Sequence, residues 1–273
     1  MRIDSHQHFW IYNRARDGWI TDAMQVLQRD FLPANLKPLL QEHAIEGCVA
    51  VQADPSEAET EFLISQANEF EFIKGVVGWV NLTDPHLEAR LAHYKSYPVV
   101  KGFRHIVQAE PDGYMVNPRF IQGIKHVNKF GLTYDILIKE HQLKETLEFI
   151  KQLPPQKLVI DHIAKPVIGN TLSQWKKYIT AIAQHEHVYC KLSGMVTEAN
   201  WHSWRPENFT PYLDIVLNAF GSNRVMYGSD WPVCLLAAQY AQQLKIVEDY
   251  IQSFSDSEKQ AIMGENAIRF YNL

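Results

Sequence analysis

Short β-branched and apolar runs, each closed by a polar or glycine-containing cluster, return eight times along the chain. They are RIDSH from Arg2, GCVAVQAD from Gly47, GVVGWVNL from Gly75, VVKGFRH from Val99, LTYDILI from Leu132, KLVIDH from Lys157, VYCKLSG from Val188 and RVMYGSDWP from Arg224. Between them, residues 57–71, 86–95, 118–129, 141–152, 172–185 and 211–220 carry apolar side chains at three- and four-residue spacing, which predicts helices. Strands alternating with helices, with no Pro/Gly/Ser linker or composition break, predict one (β/α)8 TIM barrel domain over 1–273, ahead of an open doubly wound sheet. The tail from Glu258 to Leu273 reads as a closing helix on the outside of the barrel.

A chain of 273 residues, 46% of them hydrophobic, can bury the core this fold needs. The net charge of −5 and the absence of a dense Lys/Arg stripe argue against nucleic acid as a partner. Cys48, Cys190 and Cys234 are widely spaced and never in a CxxC, so neither a disulfide framework nor a thiolate zinc site is indicated. No apolar run is long enough to span a bilayer, and no basic segment followed by an apolar one opens the chain. The expectation is a cytoplasmic protein without membrane contact, a monomer or small homo-oligomer acting on a small molecule.

DSHQHFW at the first strand places His6 and His8 two residues apart. With twelve histidines in the chain, about 0.5 such pairs arise by chance, and His185 and His187 form a second one. Position separates the two. His185 and His187 precede the seventh strand, at the end of a barrel that serves stability, whereas His6 and His8 close the first strand. Residues two apart in an extended segment share a side, so both can face the mouth.

The same strand-end criterion applied to the other runs gathers chemistry-bearing residues. They are Gln52; Trp79 and Asn81; Arg104 and His105; Asp135; Asp161 and His162; Ser193; Asp230 and Trp231. Asp230 in YGSDWP can accept a proton from water as a general base, or else cap a helix or pair with an arginine. The Arg104 guanidinium suits a developing oxyanion or a substrate carboxylate, or a buried ion pair. His162 can polarise a carbonyl, shuttle a proton, bind metal, or serve as a core histidine. Lys165 in HIAKP either reaches substrate hydroxyls or stays solvated. Lys101 sits on the opposite face from its neighbours at the rim and reads as structural. Cys234 has no partner motif for a nucleophile. The segments Phe9–Asp30 and Thr197–Asn208 are long enough to overhang the mouth as pocket walls.

DSHQHFW, KGFRH, YDIL, DHIAKP, YCKLSG, YGSDWPV and the closing GENAIRFYNL together resemble the amidohydrolase-related branch (amidohydrolase 2) of the amidohydrolase superfamily over nearly the whole chain. Within it the chain is most similar to sugar-lactone hydrolases acting on L-fuconolactone or L-rhamnonolactone, and is similar to the pyrone dicarboxylate lactonases. The resemblance implies His6, His8, Arg104, His162 and Asp230 as the active-site set. In it Asp230 would deprotonate water, while Arg104 and the histidines would hold the lactone carbonyl. Trp10, Trp79 and Trp231 would pack on the sugar ring, and Gln52, His105, Asp135 and Lys165 would bind its hydroxyls. A two-metal site is disfavoured, because strand four offers Arg104 where binuclear relatives carry a bridging carboxylate or modified lysine. One divalent ion, zinc by its ligands, is compatible with His6 and His8 completed by Asp230 or His162, and metal-independent activity is equally compatible. Two alternatives stand beside lactone hydrolysis. One is a mononuclear-metal decarboxylase of the same superfamily, and the other is a sugar-binding barrel without turnover.

Overall fold

The structure, a computed structural model, describes residues 1–273. Eight parallel strands follow one another around a single sheet in chain order, β1 (Ile3–Gln7), β2 (Gly47–Val51), β3 (Ile73–Gly78), β4 (Val100–His105), β5 (Thr133–Ile136), β6 (Leu158–Ile160), β7 (Val188–Leu192) and β8 (Val225–Tyr227). An open doubly wound sheet would reverse strand order at a switch point, and no reversal occurs. The chain is a (β/α)8 barrel. Its seam is closed by the backbone beyond β8: Asp230 N–H donates to His6 O at 2.8 Å and His8 N–H to Trp231 O at 2.7 Å. No helix is long and apolar enough to cross a membrane.

The helices are α1 (Pro33–Glu42), α2 (Glu57–Glu69), α3 (Leu87–Lys95), α4 (Pro118–Lys129), α5 (Leu143–Lys151), α6 (Ser173–Ala183), α7 (Thr210–Phe220), α8 (Tyr240–Tyr250), α9 (Asp256–Gln260) and α10 (Asn266–Tyr271). Apolar spacing anticipated α2 to α7. It did not mark α1, whose Pro38 interrupts the pattern while Leu36 and Leu40 carry the burial, nor α8.

Strand alternation sorts side chains between two environments. Cys48, Ala50, Val76, Phe103, Tyr134, Ile160, Cys190 and Tyr227 face the helical shell. Ile3, Val49, Val51, Val77, Val159 and Met226 face inward, where Ala267, Phe270 and Tyr271 of α10 pack on them. The tail therefore does not lie along the outside of the barrel as expected. It seals the barrel floor, because its aromatic side chains complete an apolar interior that the strands alone leave open.

One irregularity positions the site. Asp4 pairs with Cys48 and Gln7 with Ala50, so β1 takes three steps where β2 takes two. This bulge shifts the phase of the alternation. Ile3 points inward and Asp4 outward, where its Oδ2 accepts from Tyr240 of α8 at 3.1 Å. Beyond the bulge Gln7 points outward to Cys48 Sγ, and His6 and His8 point into the barrel.

Candidate active site

His6, His8, His162 and Asp230 meet at the mouth, all nearly or fully buried. His8 Nδ1 lies 2.7 Å from Val51 O, an acceptor only, so this nitrogen carries the proton and Nε2 presents a lone pair. Three imidazole Nε2 atoms converge on Asp230 Oδ1, from His8 at 3.4 Å, His162 at 3.8 Å and His6 at 3.9 Å. Burial holds all three histidines below the usual imidazole value, His6 and His162 strongly, so they are neutral. Burial pushes the Asp230 carboxyl up, but the facing His162, His8 and Lys165 outweigh it and the net shift is downward. Asp230 is thereby favoured as a carboxylate, faced by three buried imidazoles.

Local backbone strain builds this arrangement. His162, Ile163, Ala164 and Lys165 all have positive φ, between 47° and 63°, a left-handed turn with no glycine in it. Asp230 is left-handed as well, at φ 57°. Each such residue costs of order 1 kcal/mol and persists where its surroundings hold it. Here Trp175 Nε1 donates to Ile163 O at 2.9 Å, and Ser193 Oγ lies 2.8 Å from His162 Nδ1. Gly194, at φ +62°, passes so close that a Cβ there would lie 2.5 Å from His162 Nδ1. Gly194→Ala is therefore expected to destabilise the fold by more than about 1 kcal/mol, read as a lower denaturant midpoint. An unchanged midpoint would show that the turn yields freely.

Beneath the mouth lies a charged layer. Arg104 Nη1 donates to Asp161 Oδ2 at 3.1 Å and lies 3.3 Å from His6 Nε2, while Nη2 donates to Gln52 O. Lys191 is fully buried, with Nζ 2.5 Å from Asp135 Oδ2, 3.0 Å from Asp161 Oδ1 and 3.0 Å from His6 Nδ1. Tyr271 reaches up from the floor and donates to Asp135 Oδ2 at 2.7 Å. Two cations thus balance two carboxylates. Lys191, with His6 and Arg104, holds Asp161 well below the ordinary carboxylate value although burial alone would raise it.

A cavity of about 270 Å³ opens above this layer. His8, Arg104, His162, Lys165 and Asp230 line it, with Trp19, Ile106, Leu137 and Val233 among its apolar walls. Of the five residues expected to form the active-site set, four face this space and His6 lies directly behind them. Of the residues expected to bind substrate, Lys165 alone lines the cavity.

The other six lie behind it, for identifiable reasons. Arg104 and His105 are adjacent on one strand, so alternation sends His105 outward, between Trp79 Nε1 at 3.1 Å and Glu110 at 2.7 Å and stacked on Tyr114. Trp79 is committed to that contact. Gln52 donates its side-chain amide to Arg104 O at 3.2 Å and so braces the arginine. Asp135 is spent on Lys191. Trp10 donates to Arg29 O and packs edge-on against Trp19, and Trp231 packs against Phe9 and Phe31. Trp19 comes from the long Phe9–Asp30 segment, which supplies a wall as its length suggested. The Thr197–Asn208 segment contributes no lining residue, although its Glu198 stands 3.9 Å from Lys165. Lys101 donates to Asn272 O at the floor, remote from the mouth.

Lys191 escaped the strand-end criterion because it sits one inward position below Ser193. A charge in the middle of an otherwise apolar strand was the available signal.

His6 Nε2, His8 Nε2 and Asp230 Oδ1 stand 3.2, 3.4 and 3.9 Å apart. Ligands at tetrahedral bond lengths for zinc are separated by about 3.3 Å, so the donor set fits a divalent cation with an open position. His162 Nε2, 3.8 Å from the same carboxylate oxygen, stands close enough to complete it.

A closed barrel that brings an HxH pair from the first strand, an arginine from the fourth and an aspartate from past the eighth to one mouth has these groups where barrel enzymes carry their active sites. Residues 3–273 match the amidohydrolase family, and the chain belongs to it. It is 39% identical to an L-fucono-1,5-lactonase of Burkholderia multivorans, over 100% of this chain and 96% of that one. It is 34% identical to an L-fucono-1,5-lactonase of Burkholderia ambifaria, over 100% of this chain and 96% of that one. A crystal structure of an amidohydrolase from Burkholderia multivorans with bound zinc superposes with a TM-score of 0.97, at 39% identity, covering 100% of this chain and 99% of that one.

Proposed function

We propose that this chain hydrolyses a sugar lactone, opening the ring by addition of water to the carbonyl carbon. The observation that carries the reading is Asp230 on the wall of a small cavity that Arg104 also lines, with His8 Nε2 3.4 Å and His162 Nε2 3.8 Å from its Oδ1 and its carboxyl held below the ordinary aspartate value. Asp230 takes a proton from water as its oxygen attacks the carbonyl carbon. Negative charge grows on the carbonyl oxygen, where the permanently charged Arg104 stabilises it. When the carbon to ring-oxygen bond breaks, the proton held by Asp230 passes to the ring oxygen, which leaves as a hydroxyl. Lys165 and Trp19, both lining the cavity, would hold the sugar's hydroxyls and its apolar face.

The lactonase names of the two near full-length relatives support the substrate class, and L-fucono-1,5-lactone is the first candidate. They do not favour the decarboxylase or the non-catalytic binder. The spacing of their donor atoms supports His6, His8 and Asp230 as the residues that would hold a divalent cation, which would supply Lewis-acid polarisation when bound, and a related crystal structure carries bound zinc.

A pH-indicator assay across fucono-, rhamnono-, galactono- and arabinonolactones tests the reading, and no turnover above the spontaneous rate on any of them would reject it. The pH profile tests the base. Asp230 is depressed below the ordinary aspartate value, so the active carboxylate is lost only as pH falls through that low value. The profile of kcat/KM, corrected for spontaneous hydrolysis, is expected to be flat from about pH 8 to about pH 5. An acid limb inside that range, or an Asp230→Asn variant that keeps the wild-type rate, would assign the base to a histidine instead.

A further inference from the structure

A neutral imidazole has one N–H and one lone pair, so the groups facing each ring nitrogen of His6 decide where its proton sits. Behind the ring, Nδ1 is 3.0 Å from Lys191 Nζ and 3.3 Å from Asp161 Oδ1. Toward the mouth, Nε2 is 3.2 Å from His8 Nε2, 3.3 Å from Arg104 Nη1 and 3.9 Å from Asp230 Oδ1.

Two patterns satisfy these neighbours differently. In the first, Lys191 donates to Nδ1, and Nε2–H donates to the His8 lone pair that the Val51 contact fixes. In the second, Nδ1–H donates to Asp161 Oδ1 and Nε2 accepts from Arg104, while the Lys191 ammonium is forced against an N–H. The contacts of the first are the shorter ones, 3.0 and 3.2 Å against 3.3 and 3.3 Å. Lys191 cannot turn away, because its ammonium is clamped at 2.5 Å by Asp135, itself held by Tyr271. Arg104 does not depend on His6, since Asp161 and Gln52 already accept from it.

Only the second pattern can ligate a metal through His6, because it alone leaves a lone pair on Nε2. It also has a carboxylate ready behind Nδ1–H, the arrangement that orients metal-bound histidines. Asp161 Oδ1 is buried and, accepting no well-aligned hydrogen bond, is held only by the Lys191 ammonium 3.0 Å away.

We propose that Lys191, by donating to His6 Nδ1, is a positioning residue that holds His6 in its Nε2–H form and thereby restrains the His6, His8 and Asp230 set from binding a divalent cation. Metal entry then requires the His6 proton to move from Nε2 to Nδ1, exchanging the Lys191 contact for Asp161. The substrate does not enter this inference, and its test needs no turnover.

The test uses metal-free, full-length protein labelled with 15N-histidine, the His6 signals being assigned by their loss in His6→Gln. Two-bond proton–nitrogen correlation spectra are expected to show Nε2 protonated and Nδ1 bare in the wild type; the reverse would overturn the proposal. A chromophoric chelator then measures zinc affinity in Lys191→Met/Asp135→Asn, which removes the cation together with one carboxylate. The double variant is expected to bind zinc about 10–100-fold more tightly than wild type, with the His6 proton now on Nδ1. Equal or weaker zinc binding by a folded double variant would also overturn it. If that variant does not fold, the wild-type spectrum alone decides.

Discussion

Replacing Asp230 by Asn is expected to lower kcat on L-fucono-1,5-lactone by about 10²–10⁴-fold, the range that a positioned general base contributes. The substitution keeps the shape of the side chain and removes its ability to take a proton. Asp230 is held through its backbone, by its N–H bond to His6 O and by the left-handed turn, so the amide should occupy the same place. KM is then expected to change far less than kcat. Parallel measurement of both constants and of the far-ultraviolet circular dichroism of the variant checks this. Equal rates for wild type and variant on every lactone would remove Asp230 from the base role and leave the histidines to be tested.

The second large effect concerns stability. Lys191→Met leaves Asp135 and the inner oxygen of Asp161 without their cation in a fully buried layer. Removing one partner of a buried ion pair typically destabilises by about 3–5 kcal/mol, because the remaining charge is neither solvated nor paired. A fall of that size in unfolding free energy, read from denaturant midpoints at constant slope, is the expected result. Lys191→Met/Asp135→Asn should recover much of it, since the net charge of the layer is restored. A single variant as stable as wild type would mean that water or a rearranged Arg104 reaches the carboxylates, and the layer is then looser than its distances indicate.

The two effects separate the levels on which this barrel is built. Asp230 acts at the mouth, where loss is felt in rate. Lys191 acts one inward position lower, where loss is felt first in folding and, through His6, in what the mouth can bind.

Much of the architecture is legible from period alone. Eight apolar runs and the amphipathic stretches between them predict the barrel, since parallel strands buried on both faces need crossover helices and the pattern has no break at which to divide. The pairing of His6 with His8 on one side follows from the two-residue repeat of an extended chain. That the strand ends would surround a single cavity follows from closure, and Arg104, His162 and Asp230 were found by that route.

Which side each residue faces was a different matter. A one-residue bulge in β1 turns His6 and His8 into the barrel; uninterrupted alternation from Ile3 would have aimed both at the helical shell. Nothing in RIDSHQHFW announces it, because the bulge arises from how β1 pairs with β2. The left-handed turn at His162 to Lys165 carries no glycine to betray it and exists because packing around Trp175 and Ser193 holds it. The strand-end criterion overcounted the pocket because it lists both Arg104 and His105, while a pleated strand admits only one of two neighbours to the interior.

Local period and spacing already specify the fold, the shared face of the histidine pair and the chemical types that gather at the mouth. The register of β1, the strained backbone under His162 and Asp230, and the partnership of Lys191 with His6 across the barrel emerge only when the folded chain packs. Those depend on contacts between residues far apart in the chain, and no local pattern encodes them.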